Sequence, residues 1–195
     1  VMARGSERQK ERWGIPLLTA ELIGAWAVTE PGAGSDAFGG MLTKAKRVDG
    51  GYLLNGQKTF ITNAPNADVM VVYARTEVDG EERGNWPVQA FVLDRGTPGL
   101  RTTEPMRKMG MHASPTGEIF MEDCVVGEEN LLMSGRGGDT ARQQVKATFK
   151  GERTTMLPMC FGIIDYCLEV SVAYAKERTT WGQSIGTYQL IQEKL

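Results

Sequence analysis

Ala27-Val28-Thr29-Glu30-Pro31-Gly32-Ala33-Gly34-Ser35-Asp36 and, downstream, Lys58-Thr59-Phe60-Ile61-Thr62-Asn63 are the two runs on which the reading of this chain turns. The first combines hydroxyls, two glycines and a proline at a strand-to-loop transition. Backbone N–H groups and side-chain hydroxyls can approach a flat, polar ligand closely there. The glycines also fit G-x-G-x-x-A from Gly32 to Ala37, the pattern of a nucleotide-binding turn. Such a turn should open a helix within a βαβ unit. Here Phe38-Gly39-Gly40 follows and then another strand pattern, so the context opposes that reading.

Working outward, 195 residues suffice for one or two domains with a real core. Charged residues at 24% and hydrophobic residues at 41% describe an ordinary soluble globular chain. A net charge of -2 offers no basic patch of the kind nucleic acid requires. No stretch approaches the roughly 20 apolar residues of a membrane span, and Met2 to Arg12 is polar, without a secretory h-region. Cys124, Cys160 and Cys167 lack metal or CxxC spacing, which predicts reduced, mostly buried thiols. With His112 as the single histidine, a multi-histidine metal site is excluded.

Three sections emerge: residues 1–22, 23–135 and 136–195. The first carries helical periodicity from Ser6 to Trp13, closed by Pro16 and Leu17-Leu18. The second is rich in strand signals: Gly24 to Glu30, Leu42 to Val48, a turn at Gly50-Gly51, then Tyr52 onward. Asp68 to Arg75, Val88 to Asp94 and Thr116 to Val126 add three more, a spacing that suits a β-sandwich or barrel. After Gly137-Gly138 the pattern turns helical. Leu157, Phe161, Ile164, Leu168, Val172 and Ala175 recur along one helical face, with Pro158 marking a kink or frayed turn. Gly182 and Gly186 interrupt it before a last helical run from Thr187. Met106, Met109 and Met111 read as core or interface filler and His112 as a loop residue. The chain reads as a fragment of a longer protein, since both ends fall inside structural elements.

The two opening runs resemble the flavin-binding segments of the acyl-CoA dehydrogenases, and the order of sections is that of the same family. The resemblance implies an α+β fold: an antiparallel β-domain (23–135) flanked by helical segments of an all-α bundle. Residues 1–22 then close an N-terminal helical domain and 136–195 begin a C-terminal one. FAD is the implied cofactor. By resemblance Thr29 contacts the pyrimidine edge of the flavin and Thr62 lies near N5, where donors stabilise the reduced ring. Trp26 and Phe60 stand beside the ring, Val28 belongs to the same segment, and Ser35 matches a serine that touches flavin and acyl-CoA. Strand threonines and aromatics are also common simply because they suit sheets.

Glu177-Arg178-Thr179-Thr180-Trp181-Gly182 resembles the family's Arg-x-x-Phe-Gly signature, with Trp181 in place of Phe. The resemblance implies that Arg178 reaches the diphosphate of FAD held by a neighbouring subunit, with Thr179 and Trp181 alongside. A guanidinium fork suits phosphate oxygens, although a helix-terminal cation is the plainer use of such an arginine. Gln189 matches a glutamine near the same FAD. A site shared between subunits implies a homotetramer.

The family reaction takes an α-proton from an acyl-CoA thioester to a carboxylate while the β-hydrogen leaves as hydride to flavin N5. Gly151-Glu152-Arg153 matches one of the two places where the family carries that base. Glu152 is therefore a candidate catalytic base and Arg153 a substrate-binding residue, with a carboxylate beyond Leu195 as the other option. A solvated helix carboxylate is the ordinary fate of such a Glu. Electrons pass to electron-transfer flavoprotein or a similar acceptor, in a bacterial cytoplasm or a mitochondrial matrix. Two rivals share the fold: a flavin monooxygenase or oxidase, and a non-catalytic subunit of a hetero-oligomer.

Overall fold

Within Val69–Thr76 the first six residues are apolar on both phases of the alternation, and the sheet is organised around this strand. The computed structural model describes residues 1–132 and 141–195; the expected boundary between 135 and 136, and the change at Gly137-Gly138, lie outside them. The described chain forms two compact units, Val1–Gln144 and Val145–Leu195.

The first unit opens with α1 (Glu7–Gln9), a π-helical turn (Lys10–Gly14) and α2 (Ile15–Leu18). Ser6 Oγ accepts the Gln9 N–H at 3.2 Å, and Gln9 Oε1 accepts the Ser6 N–H at 2.9 Å, a capping box. The helical stretch continues past Pro16 to Leu18. The wider turn directly precedes the stretch where proline removes a ladder donor.

Eight strands follow: β1 (Gly24–Ala27), β2 (Lys44–Val48), β3 (Gly51–Thr62), β4 (Val69–Thr76), β5 (Val88–Asp94), β6 (Leu100–Thr102), β7 (Thr116–Gly127) and β8 (Leu131–Leu132). They join in the order β6-β7-β3-β2-β4-β5-β8, with β1 also on β4. The sheet is largely antiparallel, as expected of the β-domain, but β4 accepts β1 and β2 in parallel. β1 lines Val69–Val72 of that strand and β2 meets only Arg75 and Thr76. The connection 28–43 therefore leaves and re-enters the sheet at one place on β4.

The β2–β3 turn is Asp49-Gly50, with Gly50 at φ +73, and Gly51 already belongs to the ladder. A Cβ on Gly51 would meet the Val126 carbonyl, so this glycine answers a close backbone approach. Leu54, Met70, Phe91, Ile119 and Met121 form the main core. Tyr52 of β3 packs edge-on against Phe91 of β5 at 5.1 Å, although β2 and β4 separate their strands in the sheet. The sheet thus curls over its own core. On its other face Trp13 packs with Val69 and Val92. Trp13 Nε1 and the Arg12 guanidinium both donate to Asp94 at 2.7 Å, tying the helical stretch to β5.

The second unit begins within α3 (Ala141–Glu177), which runs through Pro158 without a break. A hairpin of β9 (Thr179–Thr180) and β10 (Gln183–Ser184) follows, then a 3-10 turn (Ile185–Thr187) and α4 (Gln189–Gln192), shorter than the run expected from Thr187. Leu157, Phe161, Ile164 and Leu168 are exposed on α3, while Ala175 is buried.

Three expectations need correcting. Cys124 alone among the cysteines is buried; Cys160 and Cys167 are exposed, because they lie on the uncovered α3. Met109 and Met111 are exposed in a loop, which removes the core alternative and leaves that of interface filler. Lys146–Glu177, with a window of mean hydropathy 1.5, is long and apolar enough to cross a membrane. Counting consecutive apolar residues passes over it because polar residues interrupt the run. Length and hydropathy alone do not make it a span, since a bundle helix passes the same test.

Candidate functional site

The two opening runs meet around a buried ion pair. Lys58 on β3 and Glu30 after β1 are 0% and 3% exposed, with Nζ 2.8 Å from Oε1. The same ammonium donates to the Val28 carbonyl at 3.1 Å. Glu30 also accepts the backbone N–H groups of Leu42 at 2.5 Å and Thr43 at 2.9 Å. One residue on, the Thr59 N–H donates to the Thr29 carbonyl at 3.0 Å. Burial pushes the Lys58 amine down to about 8, the Glu30 charge holding it from falling further. Burial opposes ionisation of Glu30, but the Lys58 charge and the hydrogen bonds together leave its carboxyl below the usual value. At neutral pH the pair is therefore ionised.

Past Lys58 the β3–β7 register slips between Lys58 and Ile61, so Thr59 and Phe60 together face Glu118. The slip is a β-bulge. Thr59 Oγ1 donates to Glu118 Oε1 at 2.9 Å, and Phe60 takes φ +56 with 68% of its surface exposed. A bulky residue in left-handed backbone costs about 1–3 kcal/mol, and such strain gathers at functional sites. Thr62 lies exposed at the end of β3, and the Asn63 amide, from a residue at φ +65, donates to the Gly24 carbonyl at 3.2 Å. Trp26, half-buried on β1, meets Tyr73 edge-on at 6.1 Å. Val28 is buried.

Ser35 is exposed in the connection 28–43. A Cβ added at Gly32 or Gly34 would meet nothing within 4 Å. Neither internal packing nor a positive φ therefore explains these glycines. The hydroxyls of Thr29, Ser35 and Thr62 make no hydrogen bond among the described residues. Arg75, buried on β4, clamps the far part of this connection. Its guanidinium donates to the carbonyls of Phe38, Gly84 and Trp86, and Arg83 donates to Met41 at 3.1 Å.

In the second unit, Trp181 and Gly182 form the two-residue turn of the β9–β10 hairpin, at φ +49 and φ +81. Both signs suit the primed turns of tight hairpins. Trp181 is 90% exposed and meets Tyr188 edge-on at 6.3 Å, while the Tyr188 hydroxyl donates to Thr180 O at 3.1 Å. Arg178 is exposed, its guanidinium without a partner among the described residues. Thr179 begins β9, and exposed Gln189 begins α4. Glu152 and Arg153 are adjacent and exposed in the first half of α3.

The structure thus brings the Val28–Glu30 and Lys58–Thr59 segments together and places the remaining predicted residues on two units. Sequence reading quoted Glu30 and Lys58 without assigning them a task, and passed over Arg75. A signal was available: Leu54 and Lys58 share the inward phase of β3, and a lysine there demands a carboxylate.

The middle-domain profile of the acyl-CoA dehydrogenases matches residues 25–124, and their C-terminal-domain profile matches 142–195. The chain is 37% identical to a mitochondrial isovaleryl-CoA dehydrogenase of Arabidopsis thaliana over all of its own length and 46% of that protein. Butyryl-CoA dehydrogenase of Megasphaera elsdenii is similar in structure, with a TM-score of 0.86 at 36% identity over 99% of this chain and 49% of that one. A glutaryl-CoA dehydrogenase of Mycobacterium smegmatis, solved in complex with FADH2, gives a TM-score of 0.86 at 30% identity over 99% and 47%. The chain spans about half the length of the curated relatives it matches.

Proposed function

Because this chain belongs to the acyl-CoA dehydrogenase family, we propose that the intact protein is an FAD-dependent dehydrogenase of acyl-CoA thioesters. One observation carries the reading. The runs 28–30 and 58–62 are fastened together, yet the hydroxyls of Thr29 and Thr62 stay unbonded among the described residues and Phe60 is strained outward. That is a surface prepared for a flat polar ring. Gly32 and Gly34, whose missing side chains leave open space, suit close approach of the same ligand.

FAD, when bound, supplies the two-electron acceptor that takes the substrate β-hydrogen as hydride. Thr29 and Thr62 would hold the polar edge of the flavin by hydroxyl and N–H donation, and Trp26 and Phe60 would cover apolar parts of the ring. Val28 would line the same segment, and Ser35 would reach both cofactor and thioester. Arg178, whose guanidinium has no partner among the described residues, would bind the diphosphate of FAD in a neighbouring subunit, flanked by Thr179, Trp181 and Gln189. Glu152 would take the α-proton onto its carboxylate and Arg153 would bind the acyl-CoA. Glu152 is exposed here, so in this role substrate and further walls would have to cover it and exclude water. Residues 1–22, 23–135 and 136–195 would then be the end of an N-terminal helical domain, the middle β-domain and the start of the C-terminal bundle. The assembly would be a homotetramer passing electrons to electron-transfer flavoprotein or a similar acceptor.

Turnover of butyryl-, isovaleryl- and glutaryl-CoA with an artificial electron acceptor tests the assignment of the base. Glu152→Gln should lower kcat by roughly 10²–10⁴-fold, the usual contribution of a general base. A variant that keeps full kcat would remove Glu152 from that role.

A further inference from the structure

Resting on the flavin-site reading of Thr29, we propose that Lys58 and Glu30 are positioning residues that set the geometry of the Thr29 segment and of the Ser35 connection. Their contacts go beyond a pair of charges. Lys58 Nζ fixes the carbonyl before Thr29, at 3.1 Å, and the carboxylate after it, at 2.8 Å. The Thr59 N–H fixes the carbonyl of Thr29 itself at 3.0 Å. Thr29 is therefore held from both sides and at its own backbone, while its hydroxyl stays unbonded among the described residues.

Glu30 has a second task. Its carboxylate accepts from Leu42 N and Thr43 N, at the opposite end of the connection that carries Gly32, Gly34 and Ser35. One side chain thus closes that connection at its base, and the mutual bonds of Glu30 and Ala33, at 3.0 and 3.1 Å, tighten its start. The pair organises backbone groups at both ends of the connection, Val28 O at one and Leu42 N and Thr43 N at the other. Apolar replacements of the same volume would strand Val28 O and Thr43 N in the interior and release Leu42 N at its edge. Burying two charges is expensive and offers little net stability. Fixing an arrangement is the better account of keeping them.

The test uses the intact protein stripped of FAD and titrated with it, following affinity and the flavin absorption bands. Lys58→Met/Glu30→Gln removes both charges and leaves the net charge unchanged. The expected result is a folded protein, by far-UV circular dichroism, with FAD affinity about tenfold weaker and shifted absorption bands. In a Thr29→Ala background the same pair of changes should add little further loss, because residues that act through one another are non-additive. Normal affinity and bands in the folded double variant, or losses that add fully to that of Thr29→Ala, would overturn the proposal. If the double variant does not fold, the isosteric Glu30→Gln takes its place, with the same direction expected and the same contrary result. Thr29→Ala with unchanged affinity and bands in otherwise wild-type protein would instead sink the flavin-site reading itself.

Discussion

Phe60 and Trp181 occupy left-handed backbone although neither is glycine, and both present their rings outward. The cost falls on folding, and under the proposed function the exposed rings would meet the flavin, so stability and binding should part company at these residues. Phe60→Gly relieves the strain at φ +56 and should raise stability by up to about 1 kcal/mol while weakening FAD binding. Urea unfolding of the apo-protein beside FAD titration checks both signs. Lys58 adds a pH signature. Its native value near 8 lies below the ordinary 10.5, so between them the unfolded chain holds a proton that the native chain has lost. More protons on the unfolded side mean stability rising with pH across that window. Glu30 acts at the acid end: its stabilisation is present above 4.5 and drains as pH falls through its lowered native value. Unfolding free energies at pH 7 and 9.5 should therefore move in favour of wild type relative to Lys58→Met/Glu30→Gln. An identical difference at both values would contradict this. In the sequence, the threonines and aromatics proposed for the flavin site were singled out through resemblance. The pair beneath them was not, because strand alternation marks a residue as inward without saying which partner meets it.

Among elements, β4, β5 and β7 were legible from their apolar runs and turn signals. β6 and β8, of three and two residues, are too short to carry a period. The parallel pairing of β1 and β2 with β4 was hidden as well, since alternation fixes a face and not a partner. That pairing is what delivers the connection 28–43 to one place. The helical stretch Glu7–Leu18 belongs to the same unit as the sheet through Trp13, Arg12 and Gln9. Trp13→Ala removes a fully packed ring and its bond to Asp94, and should cost about 3–5 kcal/mol. Thermal unfolding of the variant measures it, and a change under 1 kcal/mol would mean that the stretch does not depend on this anchor. α3 differs in kind: its helical period was legible, but what covers Phe161, Ile164 and Leu168 cannot be read from its own sequence.

At the scale of the molecule, the family is carried by both profile matches and the sheet, and the chemistry by a few residues distributed over two units. Under the proposed function the β-domain would supply a surface for the flavin, and α3 with its following hairpin would supply the candidate base and the candidate diphosphate arginine. The most direct measurement is made on the intact protein loaded with FAD, freed of oxygen, and mixed with acyl-CoAs of several chain lengths while the flavin absorbance is followed. The account predicts bleaching by at least one acyl-CoA, and its loss in Glu152→Gln. Bound FAD that no acyl-CoA bleaches would contradict it.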